Sequence, residues 1–184
     1  MVNLTSTQLE NIQINEGTVY ANYGEVTEKL IAPTRGGGEF VVTELVRPIE
    51  FDGRKGKTKG TDAIEEMNAS LKVVTLGIDQ DTLKLALVGS ATDGTAITSG
   101  DVGLIASAKY LVNVTMFGKT TKGEYKKITL YNALSEGGLT TGFKPKAEGE
   151  IELNFHATWD ATDSDKLLYK IEDVPQFPET PVSA

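Results

Sequence analysis

The sequence predicts a mainly β protein: an antiparallel β-sandwich or barrel-like core with one short α-helix, a long loop, and extended N- and C-terminal arms. Three observations predict this class. Apolar and polar residues alternate with a period of two in one segment after another, which marks half-buried strands. Glycines punctuate the chain between those segments, at Gly36 to Gly38, Gly53, Gly56, Gly60, Gly137 and Gly138. Helix is scarce, so the crossover helices that a parallel α/β sheet needs after most strands are missing.

The elements follow in chain order. Residues 1–16 form a polar arm with scattered apolar anchors, and Thr18–Tyr23 makes the first strand. Glu39–Arg47 and Leu71–Ile78 make a second pair of strands. They are separated by a long connection, residues 52–68, in which Asp62–Asn68 has the composition of a short helical turn. Residues 79–88 carry the helix, with Asp79 or Asp81 as its cap and Gly89 as its end. Tyr110–Phe117 and Tyr125–Leu134 flank a polar, glycine-containing stretch and read as an antiparallel hairpin. The clearest strand is Glu150–Trp159. Ile151, Leu153, Phe155, Ala157 and Trp159 share one face, while Glu150, Glu152, Asn154, His156 and Thr158 share the other. The tail, residues 173–184, holds Pro175, Pro178 and Pro181 and is neither a central strand nor a helix. One β domain over 17–172 therefore lies between an N-terminal arm and a C-terminal tail. The two arms and the loop at 52–61 are where contacts with other chains are expected.

Composition narrows the chemistry. The 184 residues include no Cys and a single His, His156. There is then no thiol nucleophile, thiolate zinc site, iron–sulfur cluster or disulfide framework, and no multi-His metal site within one chain. Eighteen Lys plus Arg against 26 Asp plus Glu give a net charge of −8, which opposes sequence-independent binding to nucleic acid. The start of the chain lacks the basic and apolar regions of a secretory signal. No apolar run approaches the ~20 residues of a membrane span. A chain made and kept in the cytoplasm, without membrane contact, is expected.

Individual motifs reduce to ordinary structure. Gly56-Lys57-Thr58 resembles the end of a phosphate-binding loop, but the first glycine of that pattern falls on Phe51. Gly118-Lys119-Thr120 fails in the same way at Asn113. Asp160, Asp163 and Asp165 have a calcium-like density of carboxylates, yet lack the glycine and closing Glu of an EF-hand loop. Carboxylates that turn the backbone by bonding their own amides are the favoured alternative. His156 shares a face with Glu152 and Asn154, with no nucleophile beside it, and reads as a surface histidine. The Asn3, Asn68 and Asn113 sequons carry little weight without a signal peptide. No cofactor is expected.

The segments Gly17–Tyr23, Ala32–Phe40 and Arg47–Gly53, the strand-then-helix unit at 71–88 and the strand blocks after residue 109 together resemble the major tail tube proteins of long-tailed phages. The likeness spans roughly residues 11–172. It implies a non-enzymatic virion protein whose homo-hexameric rings stack into a hollow tail tube for DNA ejection. It implies further contacts with other tail proteins such as the tape measure and the tail terminator. Its place would be the virion tail, after assembly in the host cytoplasm, and DNA would pass through without specific binding. Within that picture Glu148, Glu150, Glu152 and Asn154 line the lumen. The basic loop with Arg54, Lys55, Lys57 and Lys59 stacks against the neighbouring ring. The alternative is a non-catalytic β-sandwich module that binds a carbohydrate or receptor, though with only 7% aromatic residues it has little platform for sugar stacking. A β-fold hydrolase built on two of the carboxylates has no motif in its favour.

Overall fold

The computed structural model describes residues 10, 12–53, 55–142, 148–163 and 165–177. Ten strands run in order: β1 (Gln13–Ala21), β2 (Lys29–Ile31), β3 (Thr34–Pro48), β4 (Asp62–Thr75), β5 (Ser90–Asp93), β6 (Ala96–Ser99), β7 (Leu111–Thr120), β8 (Tyr125–Glu136), β9 (Ile151–His156) and β10 (Tyr169–Val174). Helix α1 (Gln80–Ala86) follows β4, and a 3-10 turn spans Ser107–Lys109. Every pairing is antiparallel. The mainly β sandwich with one short helix is therefore observed as the alternation predicts.

Strand β8 joins the two layers. Residues Tyr125 to Ala133 pair with β7 on one side, Tyr125 to Leu130 with β10 on the other, and the last residues, Leu134–Glu136, pair with β9. The first layer runs β2-β1-β7-β8-β10 and the second β8-β9-β4-β3. The change of layer falls between Ala133, still paired with β7, and Leu134, paired with β9. Just before it Asn132 has a φ of +47°, in the left-handed region that Asn tolerates better than most residues. Thr158 Oγ1 donates to the Asn132 carbonyl at 2.6 Å and braces the corner.

The core lies between the layers. In the second layer Leu71 pairs with Phe155 and Val73 with Leu153, and all four are fully buried. Val19, Ile31, Val114 and Leu130 answer from the first layer. Strand β7 is buried on both faces, because Tyr20, Tyr23 and Phe177 cover its outer side around Phe117. Gly38 lies against the first layer's Met116: a Cβ there would lie 2.5 Å from Met116 Sδ, so a larger residue requires that side chain to move.

The Asn113 sequon is structural. Its side chain is buried, accepting from the Tyr23 amide at 2.9 Å and donating to the Tyr23 carbonyl at 3.0 Å. Thr115 is fully buried as well, so neither residue is open to modification in the fold.

Helix α1 is capped by Asp79, whose carboxylate accepts from the Thr82 amide at 3.1 Å and from Lys29 Nζ at 2.8 Å. The Lys29 bond is the first cause, and the Thr82 hydroxyl the next, that hold the Asp79 carboxyl below its usual range. A depressed acid stabilises the fold fully above the ordinary carboxylate range and loses that contribution as pH falls through it. Asp79→Ala is expected to cost about 1 kcal/mol at neutral pH. The gap between parent and variant should narrow below roughly pH 4 in urea titrations at several pH values. Helix α1 ends at Leu87, whose amide bonds the Leu83 carbonyl, rather than at Gly89.

Three local expectations are corrected. Asp62–Asn68 is strand, not a helical turn: pairing with Thr43–Pro48 outweighs the helical leaning of Ala63, Glu65, Glu66 and Met67. The connection between β3 and β4 is correspondingly shorter, closed by a bond from the Ile49 amide to the Thr61 carbonyl. Trp159 lies past the end of β9 and is 55% exposed, so it leaves the apolar face that Phe155 occupies.

Candidate functional site

Two surfaces concentrate the residues singled out in the sequence. The first is the outer face of the second layer. Cross-strand register places Glu39, Lys72, Asn154 and Glu136 directly opposite one another, a single polar rung over β3, β4, β9 and β8. Opposed residues in antiparallel strands share a face. The same side therefore holds Val41 opposite Ser70, Ser70 opposite His156, and Val74 opposite Glu152. The reverse side of these strands is the core.

Glu152 and Asn154 occupy that outer face, as the alternation implies. Glu152 is paired with Lys72 at 2.9 Å. Glu148 and Glu150 lie just before β9, gripped by Arg35 at 2.8 Å and 2.6 Å respectively. The Arg35 hydrogen bond is the first cause that lowers the Glu148 pKa, and bonds to Glu148 and Glu150 raise that of Arg35. The row of acids is thus partly neutralised by two cations that sequence reasoning missed. It also missed three acids on this side, Glu39, Glu66 and Glu136. The set then stands at six carboxylates (Glu39, Glu66, Glu136, Glu148, Glu150, Glu152) against Arg35 and Lys72. His156 Nε2 lies 3.0 Å from Asn154 Nδ2 and 4.0 Å from Glu136.

The second surface is the ribbon of β3 and β4. Strand β9 pairs only with Ser70–Thr75 of β4. Beyond that point β3 and β4 run on as two strands, with register continuing to Pro48 and Asp62. Leu45, Val46, Ile49, Phe51 and Ile64 stand exposed along this extension. Arg47 and Glu65 form an ion pair across it. At the tip, Lys55, Lys57 and Lys59 are all exposed, and Lys57 comes within 3.8 Å of Asp62. Arg54 lies outside the described residues. Gly53, Gly56 and Gly60 have positive φ and shape the turn. Because a strand rather than a helix follows Gly56-Lys57-Thr58, no helix N-terminus completes a phosphate cradle. Gly118-Lys119-Thr120 lies inside β7.

The aspartates at 160–165 turn the chain. Asp160 Oδ1 accepts from the Thr162 amide at 2.9 Å, and its Oδ2 accepts from Lys166 Nζ at 2.6 Å. The Lys166 bond leads the causes that hold Asp160 below the usual carboxylate range. The Asp160 carboxylate is thus engaged by an ammonium of its own chain. Among the described residues, no group of three or more His, Cys, Asp or Glu is disposed to hold a metal.

No family model matches the chain, and no curated protein matches it. Among solved structures, a chain from the virion of a native gene transfer agent particle aligns with a TM-score of 0.47 at 9% identity. The alignment covers 81% of this chain and 96% of that one. Likeness of that degree carries no argument about function.

Proposed function

We propose that this chain is a structural subunit of a phage virion, polymerising as stacked hexameric rings into the tail tube through which DNA is ejected. The observation that carries the reading is the ribbon. A two-stranded hairpin is marginal in water by itself. This one extends past its supporting sheet with both edges unpaired among the described residues and apolar side chains exposed. Open edges of this kind invite pairing with another chain, and in a closed homo-oligomer that chain is a second copy.

The outer face of the second layer supports the lumen assignment of Glu148, Glu150, Glu152 and Asn154, with Glu39, Glu66 and Glu136 added. Repeated around a ring, its excess of carboxylates would sum to a negative potential along the channel that repels phosphate. The tape measure and the tail terminator would be the other tail partners. Electron microscopy of the concentrated pure protein tests the reading. Rings or tubes are expected, whereas monodisperse particles would favour the binding module, for which exposed Trp159 is the available platform.

A charge variant tests the channel separately. Replacing Glu39, Glu66, Glu136 and Glu152 together by Gln should leave tubes intact and slow genome release from assembled virions several-fold. Release kinetics equal to the parent's would remove the lumen assignment.

A further inference from the structure

We propose that the loop Asp101–Ile105 of one copy seats in a pocket beside helix α1 of a second copy. The inference rests on the self-assembly reading and names one contact within it. The pocket has a volume of about 180 Å³ and is lined by Lys84, Leu85, Val88, Lys109, Leu111 and Ser135, among others. Its character is mixed: aliphatic side chains, two lysines and three hydroxyl-bearing residues, Ser90, Thr92 and Ser135.

Two of its polar groups lack the partners they call for. Ser135 takes the last place in a core-facing rung with Leu71 and Phe155, and its buried hydroxyl has no hydrogen-bond partner among the described residues. Lys109 Nζ donates to the Ser90 carbonyl at 2.9 Å and has no carboxylate partner among the described residues. A buried hydroxyl without a partner is uncommon and points to something that completes it.

The loop carries the complementary chemistry. Asp101 is exposed and makes no ion pair among the described residues. Val102 and Leu104 are fully exposed and Ile105 nearly half so. An acid followed by three aliphatic residues matches a pocket with an ammonium beside aliphatic side chains, in charge and in polarity. The loop does not fill its own pocket. The Gly100 amide ties its start to the Gly89 carbonyl, and Asp101 and Val102 line an adjoining groove with Leu87 and Ile97, which meets the pocket at Ser90. The loop borders the pocket of its own chain, running from Gly100 beside Gly89 to the pocket residues Ala108 and Lys109. When each copy gives its loop to one neighbour and its pocket to another, the contact is heterologous and repeats from copy to copy into a ring or a filament.

Charge reversal tests the contact, read as the critical concentration for assembly by sedimentation and electron microscopy. Asp101→Lys and Lys109→Glu should each raise it about ten-fold or more. The double variant, which restores opposite charges across every contact, should return to within about three-fold of the parent. Val102→Ser with Leu104→Ser, both on the exposed loop, should raise it similarly with an unchanged melting temperature. A double reversal no better than the worse single variant overturns the contact, as does normal assembly of the serine variant. If the parent forms rings and the single reversals match it, this contact fails and the assembly reading stands. A parent that stays monomeric at every concentration overturns both.

Discussion

Removing residues 54–60 is expected to stop tube growth while leaving the subunit folded. Residues 55–60 cap the ribbon tip and none of them belongs to the buried core. Joining 53 to 61 shortens a turn that the bond between Ile49 and Thr61 already closes. The sequence from 52 to 61 carries one Asp against Arg54, Lys55, Lys57 and Lys59. At the far end of β4, about 45 Å away at ~3.3 Å per residue, lie Asp79, Asp81, Glu148 and Glu150. Subunits stacked head to tail would bring that basic tip toward those acids, a heterologous contact that propagates along an axis. The deletion should raise the critical concentration for tubes more than about 100-fold, equivalent to ~2.7 kcal/mol per subunit contact. Isolated rings or free subunits should remain, with a melting temperature within a few degrees of the parent's. Rising salt should weaken the parent in the same direction, since exposed charges are screened within a Debye length of about 10 Å at 0.1 M. Long tubes of ordinary appearance from the deleted chain would show that stacking lies elsewhere.

Phe117→Ala is expected to be the most destabilising single change, at about 3–5 kcal/mol. Phe117 is fully buried and makes edge or tilted contacts with Tyr20, Tyr23 and Phe177 at centroid distances of 6.0, 5.1 and 5.2 Å. Its loss leaves a cavity on the outer side of β7, where these rings rather than a second sheet exclude water. Domains of this kind are stable by ~5–15 kcal/mol in total, so the variant should unfold at a much lower urea concentration with an unchanged slope. Phe177→Ala should cost less, about 1–2 kcal/mol, because Phe177 is partly exposed and its pocket opens to solvent. A Phe117 variant as stable as the parent would mean that the aromatic cover contributes little.

The long strands were legible because their alternation is local. The pattern of Ile151, Leu153 and Phe155 against Glu152 and Asn154 matches the buried and outer faces of β9. The hairpin of β7 and β8 is equally clear from composition, and position narrows the helix cap to Asp79 or Asp81, of which the structure uses Asp79. Asp62–Asn68 misled because its residues favour helix in isolation, whereas their partner strand lies some twenty residues upstream. The short hairpin of β5 and β6 left a usable signal, Asp93-Gly94, whose glycine takes the positive φ of a two-residue turn. Strand β10 is as short as β9, but its alternation breaks at Glu172-Asp173 and its apolar Ile171 is exposed, so no regular buried face marks it. The face chosen as the candidate site was legible on β9 alone. Arg35, Lys72, Glu39 and Glu136 come to it from other strands, and only tertiary register brings them together.

The sharing of β8 between the layers has a mechanical consequence. A sandwich whose sheets touch only through side chains can be pulled apart by sliding one layer over the other. Here the peptide chain itself crosses from one layer to the other between Ala133 and Leu134, so tension applied to the ribbon reaches the aromatic-covered layer along covalent bonds. Each subunit would then behave under load as one stiff link, with no slipping plane through its middle.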